Sequence, residues 1–189
     1  MHLEEAIKTY DNCLHLNAIS SLLKWINKLS FQEALVGQQE LRKEIRDVQV
    51  FSLASDENES QTRRHWFNLI GSIIMRQVSI YKKECSGDGF LAVNGINTLD
   101  ILKYVNSGHY KAHVDHAPDT PRTLSCVLLL NDDYEGGQLQ FAHPYKQEII
   151  KSIDVKPGRL IIWPSNFLYP HGVTPVTNGI RYSMVSWLF

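Results

Sequence analysis

The sequence contains few cysteines, and none is placed to build a disulfide framework or a structural zinc site. The three cysteines, Cys13, Cys85 and Cys126, are an odd number, lie far apart and form no CxxC pair. Disulfide-rich domains and zinc sites need cysteines that are paired or closely spaced. The pattern therefore predicts reduced thiols, which are typical of a cytoplasmic protein.

Long apolar runs and blocks of like charge are also absent. No stretch approaches the roughly 18 consecutive apolar residues of a membrane-spanning helix, and the segment MHLEEAIKTYDN lacks the basic and apolar parts of a secretory signal. The formal net charge is -1, from 19 basic and 20 acidic residues. Because nucleic-acid-binding domains usually carry a basic stripe, we expect neither a membrane nor a nucleic acid among the partners.

The composition that remains is that of an ordinary globular protein, with 43% apolar and 21% charged residues among 189. A chain of this length buries roughly two-thirds of the surface that its unfolded form exposes, which is enough for a core without disulfides. We expect one domain over residues 1–189, in which any metal is free to be catalytic.

Residues 1–90 are predicted to form mainly helical support. After a possible strand over residues 6–14, Asn17 could cap a first helix, and residues 60–84 form a second. The apolar stripes are Ile19, Leu22, Leu23 and Ile26 in the first helix, and Trp66, Leu69, Ile70, Ile73, Ile74, Gln77 and Ile80 in the second. We expect a polar loop over residues 55–60 and a turn over residues 86–89. Such stripes are better suited to packing on a sheet than to binding a ligand.

Residues 91–189 change to short β-branched or aromatic runs separated by turns. The predicted strands are Ile101–Val105, His109–Asp115, Thr123–Leu130, Gln138–Ala142, Gln147–Val155, Arg159–Trp163 and Ile180–Phe189. Strands at such intervals, with turn pairs such as Asn131-Asp132 and Pro157-Gly158 between them, indicate a two-sheet sandwich or jelly roll. The fold class is therefore mainly β, braced on one side by helices.

Two residues of types that commonly bind metals, a histidine and an aspartate, lie two positions apart in the second of these predicted strands. Alternation points His113 and Asp115 to one face, close enough to share a cation. We expect the third ligand to be His171, in a Tyr-Pro-His-Gly corner. Two imidazoles and one carboxylate leave positions open, which suits iron(II) that binds a chelating cosubstrate and dioxygen. Taken alone, a His-x-Asp pair is more often a surface ion pair.

The final predicted strand places a cation inside the sandwich. Alternation puts Arg181 and Ser183 on one face, and Arg181 follows His171 by ten residues. A buried guanidinium needs a planar oxyanion partner, which a dicarboxylate cosubstrate supplies with bidentate geometry. A structural Arg–Glu pair is the alternative.

The remaining histidines near this motif are weaker candidates. His116 is predicted to point away from the shared face, His109 to be exposed at the start of the strand, and His143 to lie in a turn at the rim. His109 and His113 have the spacing of a zinc metalloprotease, but no Glu follows the first His and the segment is not helical. We therefore expect no zinc protease.

Ordered blocks over residues 99–189 resemble the prolyl 4-hydroxylase branch of the iron(II)- and 2-oxoglutarate-dependent dioxygenases. The blocks are Tyr104-x5-Tyr110-x2-His113-x-Asp115, RTLSCVLLLN at 122–131, GGQLQF at 136–141, PGRL at 157–160, PHGV at 170–173 and RYS at 181–183. Each block is short, but six in the same order are specific. The resemblance implies a double-stranded β-helix, which is a jelly-roll or cupin-like fold, and it implies iron(II), 2-oxoglutarate and dioxygen, with ascorbate as a reductant.

The same resemblance implies roles for individual residues. His113, Asp115 and His171 would be the iron ligands, and Arg181 would grip the distal carboxylate of 2-oxoglutarate. The other implied contacts are Tyr104, Ser183 and Ser125 to the cosubstrate, and Arg122 and the catalytic candidate Tyr110 towards the prime substrate. Some relatives have a third-strand tyrosine that helps to hold the distal carboxylate, where this chain has Leu129.

The function expected from the resemblance is hydroxylation, most naturally of a peptidyl proline, with release of succinate and carbon dioxide. Related halogenases leave the carboxylate position to chloride, so Asp115 favours hydroxylation. A hydroxylase of a free amino acid or another small molecule is one alternative, and a non-catalytic jelly-roll ligand-binding module is another. The sequence assigns no oligomeric state.

Overall fold

A computed structural model of the protein describes residues 2–36, 40–53, 60–85, 91–146 and 148–189. A 3-10 helix, Leu3–Ala6, precedes the helices α1 (Leu16–Ile26) and α2 (Gln61–Cys85). The strands are β1 (Lys8–Tyr10), β2 (Gln32–Glu33), β3 (Arg46–Asp47), β4 (Gln49–Ser52), β5 (Ile96–Tyr104), β6 (His109–His113), β7 (Leu124–Leu129), β8 (Glu135–Gly136), β9 (Leu139–Ala142), β10 (Ile149–Ser152), β11 (Leu160–Pro164), β12 (His171–Val173), β13 (Val176–Asn178) and β14 (Arg181–Leu188).

The strands form two main antiparallel sheets that pack face to face. The seven-stranded major sheet has the order β1-β11-β7-β14-β5-β4-β2, and the five-stranded minor sheet has the order β10-β9-β12-β6-β3. β13 and β8 form a two-stranded ribbon. Non-consecutive neighbours such as β7 and β14, or β12 and β6, are typical of a jelly roll. The predicted mainly β sandwich is confirmed.

The major sheet separates two hydrophobic cores. Alternate residues of β14 point to opposite faces, so Tyr182 and Met184 pack with α1 and α2, whereas Val185 packs between the two sheets. The inter-sheet core also contains Phe141 and Trp163, whose rings meet edge to face with centroids 5.1 Å apart. The helices therefore cover one face of the major sheet and leave the other to the site.

The two helices form where periodicity predicts them, with a difference at each. The prediction that Asn17 caps α1 is wrong, because the N-cap is His15, whose Nδ1 accepts a hydrogen bond from the backbone N–H of Asn17 at 3.3 Å. His15 has the extended backbone that an N-cap needs. In α2 the predicted stripe is buried at Trp66, Ile70, Ile73 and Ile74 and half-buried at Leu69 and Gln77, whereas Ile80 is 40% exposed and Tyr81 is buried instead.

The first ninety residues contribute more than helices. β1 and β4 pair with the major sheet, and β3 extends the minor sheet by pairing with β6. The strands β2, β3, β4, β8, β12 and β13 were not predicted, since segments of two to four residues are too short to show a period. Residues 55–59 of the predicted loop at 55–60, the predicted turn at 86–89 and position 147 lie outside the described residues. Among the described helices, none combines the length and apolarity that a membrane span requires.

Candidate active site

Strand pairing brings the three predicted metal ligands together. β6 and β12 are neighbours in the minor sheet, with His113 directly opposite His171. Asp115 lies just past the end of β6, which stops at His113 rather than at the predicted Asp115. One ligand atom from each of the three residues lies within 4.8 Å of the others. His113 Nε2 is 3.5 Å from Asp115 Oδ1, and His171 Nε2 is 3.3 Å from Asp115 Oδ2.

The hydrogen bonds of the two histidines orient their free nitrogens towards Asp115. His113 Nδ1 lies 2.9 Å from the Lys111 carbonyl oxygen, and His171 Nδ1 lies 3.1 Å from that of Tyr169. A carbonyl oxygen only accepts, so each Nδ1 is the donor. Burial lowers the pKa of His113, which favours an unprotonated Nε2. An unprotonated nitrogen and a carboxylate at this distance repel each other unless a cation lies between them, so the donor set fits a metal ion.

Asp115 is a buried carboxylate held ionised by its neighbours. Burial acts to raise its pKa, but hydrogen bonding and charge from His113 and His171, when a proton lies on the nitrogens that face Asp115, more than offset this and hold the pKa well below the usual range. A bound metal cation would supply that positive charge in place of the proton. Ser125 Oγ donates to Asp115 Oδ2 at 2.6 Å, and Ser165 Oγ lies 2.7 Å from Ser125 Oγ. Ser125 was predicted to assist the cosubstrate, but in the structure its hydroxyl contacts the metal-site carboxylate.

Substitution Ser125→Ala is expected to weaken metal binding by about tenfold, because it removes the hydrogen bond that orients Asp115. A competitive titration of iron(II) or zinc(II) against a chelator measures this change. Ser186→Ala is the matched control, since Ser186 is also a buried serine but donates to the Thr98 carbonyl at 2.6 Å. Equal metal affinities in the two variants would show that Ser125 does not support the site.

Gly172 allows the two histidine strands to approach each other. A Cβ atom at this position would lie 2.7 Å from the Tyr110 carbonyl oxygen and 3.1 Å from the Ala112 nitrogen. Both atoms belong to the backbone of β6, so neither can rotate away. The absence of a side chain at Gly172 therefore keeps His171 opposite His113.

We expect Gly172→Ala to lower both metal affinity and thermal stability, because β12 must move away from β6. Thermal melts and the same chelator titration test this. Gly71→Ala is the control: its added Cβ would meet only Ile96 Cδ1, at 3.4 Å, and alanine is preferred in a helix by about 0.5–1 kcal/mol. A Gly172→Ala variant as stable as the Gly71→Ala variant would contradict the prediction.

Three of the four predicted cosubstrate residues, Arg181, Ser183 and Tyr104, line the same inter-sheet cavity as the triad. Arg181 is 1% exposed, and its Nη1 donates to Ser183 Oγ at 2.8 Å. Its Cζ lies 4.8 Å from the Tyr104 ring centroid. The buried Arg181 Nε has no hydrogen-bond partner among the described residues. The cavity is lined by all three side chains together with His113, Asp115 and His171, so the guanidinium shares one enclosed space with the triad.

Tyr134 is a neighbour of Arg181 that the sequence did not reveal. Its buried hydroxyl has no hydrogen-bond partner within the described part of the chain. Burial raises its pKa, while the charge of Arg181 acts to lower it. A Cβ at Gly137 would lie 2.9 Å from Arg181 Cδ and 3.1 Å from Tyr134 Cε2, so the glycine leaves room for both side chains. Leu129, at the position where some relatives have a tyrosine, is an inter-sheet core residue.

The predicted substrate-side residues lie at the open end of the triad. The Tyr110 ring stacks on the His113 imidazole, with centroids 3.6 Å apart and planes 19° from parallel. Arg122 Cζ lies 3.8 Å from the Trp187 ring centroid, and Arg122 Nη1 donates to the Asp115 backbone oxygen at 3.2 Å. Both predicted side chains are therefore next to the metal ligands.

Arg46 and Trp187 also lie at the open end of the triad, and the sequence indicated a role in the site for neither of them. Arg46 comes from the half of the chain that was predicted to have only a bracing role, and its pairing with Tyr110 places it beside the triad. No periodic signal marks its two-residue strand. Strand alternation does predict Trp187 on the Arg181 and Ser183 face of β14, but it indicates no role for this side chain.

His109 and His116, the other histidines near the metal-binding motif, do not join the triad of His113, Asp115 and His171. The metal-binding group found among the described residues contains only His113, Asp115 and His171. His116 is exposed, and its Nδ1 accepts from the Arg122 backbone N–H at 3.2 Å. His109 is half-buried rather than exposed. The prediction that His116 does not bind the metal is consistent with this geometry.

Comparison with known proteins connects this arrangement to a family. Residues 99–189 match the family model of the 2OG-Fe(II) oxygenase superfamily. A PKHD-type hydroxylase of Xylella fastidiosa strain M12 is 41% identical over 115 residues, which cover 52% of this chain and 48% of that protein. Human prolyl 3-hydroxylase 2 is 40% identical over 68 residues, covering 36% of this chain and 10% of that protein. The chain thus spans about half of the Xylella relative and much less of the human protein.

Solved structures confirm the jelly-roll fold. A Pseudomonas putida prolyl-4-hydroxylase superimposes with a TM-score of 0.75 at 21% identity, covering 97% of this chain and 92% of that one. A Trichoplax adhaerens prolyl hydroxylase, solved with a hypoxia inducible factor peptide fragment, has a TM-score of 0.77 at 19% identity and covers 98% of this chain and 84% of that one. At these identities the likeness establishes the double-stranded β-helix fold.

Proposed function

Because residues 99–189 match the family model of the 2OG-Fe(II) oxygenase superfamily, we propose that the chain belongs to it and is an iron(II)- and 2-oxoglutarate-dependent dioxygenase that hydroxylates its substrate. One observation carries the proposal: a His-Asp-His donor set and a buried, incompletely paired guanidinium line a single cavity. The reaction would convert 2-oxoglutarate, dioxygen and a substrate C–H group into succinate, carbon dioxide and the hydroxylated substrate.

The donor set suits the metal that the family uses. His113, Asp115 and His171 supply two imidazole nitrogens and one carboxylate, which is the three-ligand set of non-haem iron(II) oxygenases and leaves coordination positions open. Bound iron with its cosubstrate and dioxygen supplies the oxidising chemistry. The protein supplies orientation, because Ser125 fixes Asp115 and the backbone carbonyls fix both imidazoles.

The other end of the cavity suits a dicarboxylate. Arg181, with Ser183 beside it, offers charge-assisted hydrogen bonds to the distal carboxylate of 2-oxoglutarate. Tyr104 is 1% exposed and packs beside the guanidinium. These contacts would place the keto acid end of the cosubstrate towards the triad, and the apolar walls Leu139, Val173 and Val185 would exclude water.

The proposed prime substrate is a peptidyl proline. Support comes from the names of the relatives and from the Trichoplax neighbour, which is bound to a peptide. Tyr110 and Arg122 line the cleft through which such a substrate would reach the proposed metal.

We also propose that residues 1–189 act as one catalytic domain in a cytoplasmic protein, in keeping with the free thiols of Cys13, Cys85 and Cys126.

The test is an anaerobic titration of purified protein with iron(II) and 2-oxoglutarate, followed by exposure to oxygen. A weak visible charge-transfer band and slow release of succinate without substrate are expected. A peptide-library screen that reads a mass gain of one oxygen atom then identifies the substrate. Absence of both the band and succinate would overturn the dioxygenase proposal, and exclusive modification of a free amino acid would overturn the prolyl-peptide assignment.

A further inference from the structure

A second cleft opens on the substrate side of the triad. Its volume is about 430 Å³, and His113, Asp115 and Tyr110 form its inner end. Two arginines, Arg46 and Arg122, line the same cleft. A substrate that reaches the triad from this side must therefore pass two guanidinium groups.

Arg46 is anchored by a backbone contact but has no anionic partner in the described parts of the chain. Its Nη1 donates to the Leu35 backbone oxygen at 3.1 Å, and its Cζ lies 4.8 Å from the Tyr110 ring centroid. Its buried Nε has no hydrogen-bond partner among the described residues, and no ion pair within 4.0 Å joins it to a described carboxylate. One neutral backbone acceptor satisfies only one of the five N–H groups of a guanidinium.

Arg122 has a partner that the proposed metal would share. Its Nη1 lies 3.9 Å from Asp115 Oδ1, and its guanidinium stacks on Trp187. Burial lowers the pKa of Arg122, while the charge of Asp115 acts to raise it. Because Asp115 is also a candidate metal ligand, its negative charge is not available to balance Arg122 in full. The buried Arg122 Nε has no hydrogen-bond partner in the described ranges either.

Two further carboxylates near the cleft do not neutralise it. Asp119 lies at the exposed rim, and no ion pair within 4.0 Å joins it to either arginine among the described residues. Asp100 lies outside the lining of the cleft, and although it is within reach of the charge of both arginines, no ion pair within 4.0 Å joins it to either one among the described residues. The inner end of the cleft therefore keeps excess positive charge in a partly desolvated position.

We propose that the substrate carries a carboxylate, and that Arg46 together with Arg122 binds this group next to the carbon that is oxidised. The inference rests on the proposed function and specifies its substrate class. A carboxylate matches the planar fork of a guanidinium and supplies the acceptor that Arg46 lacks. Two sources offer this chemistry: the main-chain carboxylate of a free amino acid, or an acidic side chain beside the target residue in a peptide.

The experiment measures binding to protein loaded with zinc(II) and 2-oxoglutarate, a complex that does not turn over. The probes are matched pairs that differ in one charge. L-proline is compared with L-prolinamide, and capped peptides that contain Asp-Pro or Pro-Asp are compared with their Asn counterparts. Calorimetry gives the dissociation constant of each probe. A preference for the proline pair would identify a free amino acid, and a preference within the peptide pairs would identify an acidic side chain.

Wild-type protein is expected to bind the carboxylate member of one pair about tenfold more tightly than its amide, as a partly buried charge-assisted contact implies. Arg46→Gln should remove this preference while leaving the affinity for the amide unchanged, and Arg46→Lys should retain part of it. Arg42→Gln is the matched control, because Arg42 is an exposed arginine paired with Glu44 at 2.9 Å. It should behave as the wild type.

Three results would overturn the inference: equal affinity within every pair, no binding of any probe, or an Arg46→Gln variant that weakens both members of a pair equally. The proposed function is tested separately by 2-oxoglutarate binding to the wild-type metal complex. If 2-oxoglutarate binds and the carboxylate preference is absent, the dioxygenase proposal stands and the substrate class is wrong. If 2-oxoglutarate does not bind, the dioxygenase proposal itself fails.

Discussion

Replacement of His171 by alanine is expected to lower metal affinity by more than about 100-fold and to abolish succinate release. Loss of a hydrogen bond behind a ligand alone costs 10–100-fold, and this change removes a ligand. His171 is 6% exposed and lies opposite His113 in the strand pair, so no other described histidine can take its place. A chelator competition and a succinate assay measure the two effects.

His143→Ala is the control for this experiment, because His143 lies in a turn outside the cluster and accepts a hydrogen bond from the Tyr145 backbone. It should bind metal as the wild type does. A His171→Ala variant with unchanged metal affinity, in protein that melts as a folded domain, would show that the triad is not the metal site.

Substitution Arg181→Met is expected to weaken 2-oxoglutarate binding by about 100-fold or more, since loss of one partner of a buried charge pair costs about 2–5 kcal/mol. The same change should leave the ligand-free protein at least as stable. Arg181 is 1% exposed, and no ion pair within 4.0 Å joins it to a carboxylate among the described residues. An apolar side chain of similar size avoids the desolvation of that charge.

Calorimetry with 2-oxoglutarate and with 2-oxopentanoate, which lacks the distal carboxylate, separates these effects. The wild type should prefer 2-oxoglutarate strongly, and the Arg181→Met variant should bind the two keto acids similarly. Arg181→Lys should recover part of the preference. Unchanged discrimination in Arg181→Met, or a large loss of thermal stability without any loss of affinity, would contradict the assignment.

The grouping of the candidate metal ligands could be predicted from the sequence because its signals are local. His113 and Asp115 are two residues apart, and alternation in a strand was enough to place them together even though β6 ends at His113. Arg181 and Ser183 share a face for the same reason, since β14 is long enough to show its period. The long helix α2 was predicted within a residue or two at each end by its apolar stripe.

The rest of the site depends on tertiary pairing that no local pattern records. Arg46 lies on a two-residue strand whose position is set by its pairing with Tyr110. Tyr134 lies beside Arg181 where Gly137 has no side chain to fill the space, and neither Tyr134 nor Gly137 has a periodic context. Alternation placed Ser125 inside the sandwich but did not reveal that its hydroxyl would contact Asp115.

The position of β3 has a consequence for how this protein can change its substrate. β3 is the outermost strand of the minor sheet and pairs on one side only, whereas β14 is flanked by β7 and β5 in the interior of the major sheet. Replacements at an edge strand disturb few neighbours, but replacements in a central strand disturb both cores. If Arg46 and Arg181 have the proposed roles, selectivity for the substrate can diverge through the edge strand at low cost to stability, while the central strand keeps the cosubstrate unchanged.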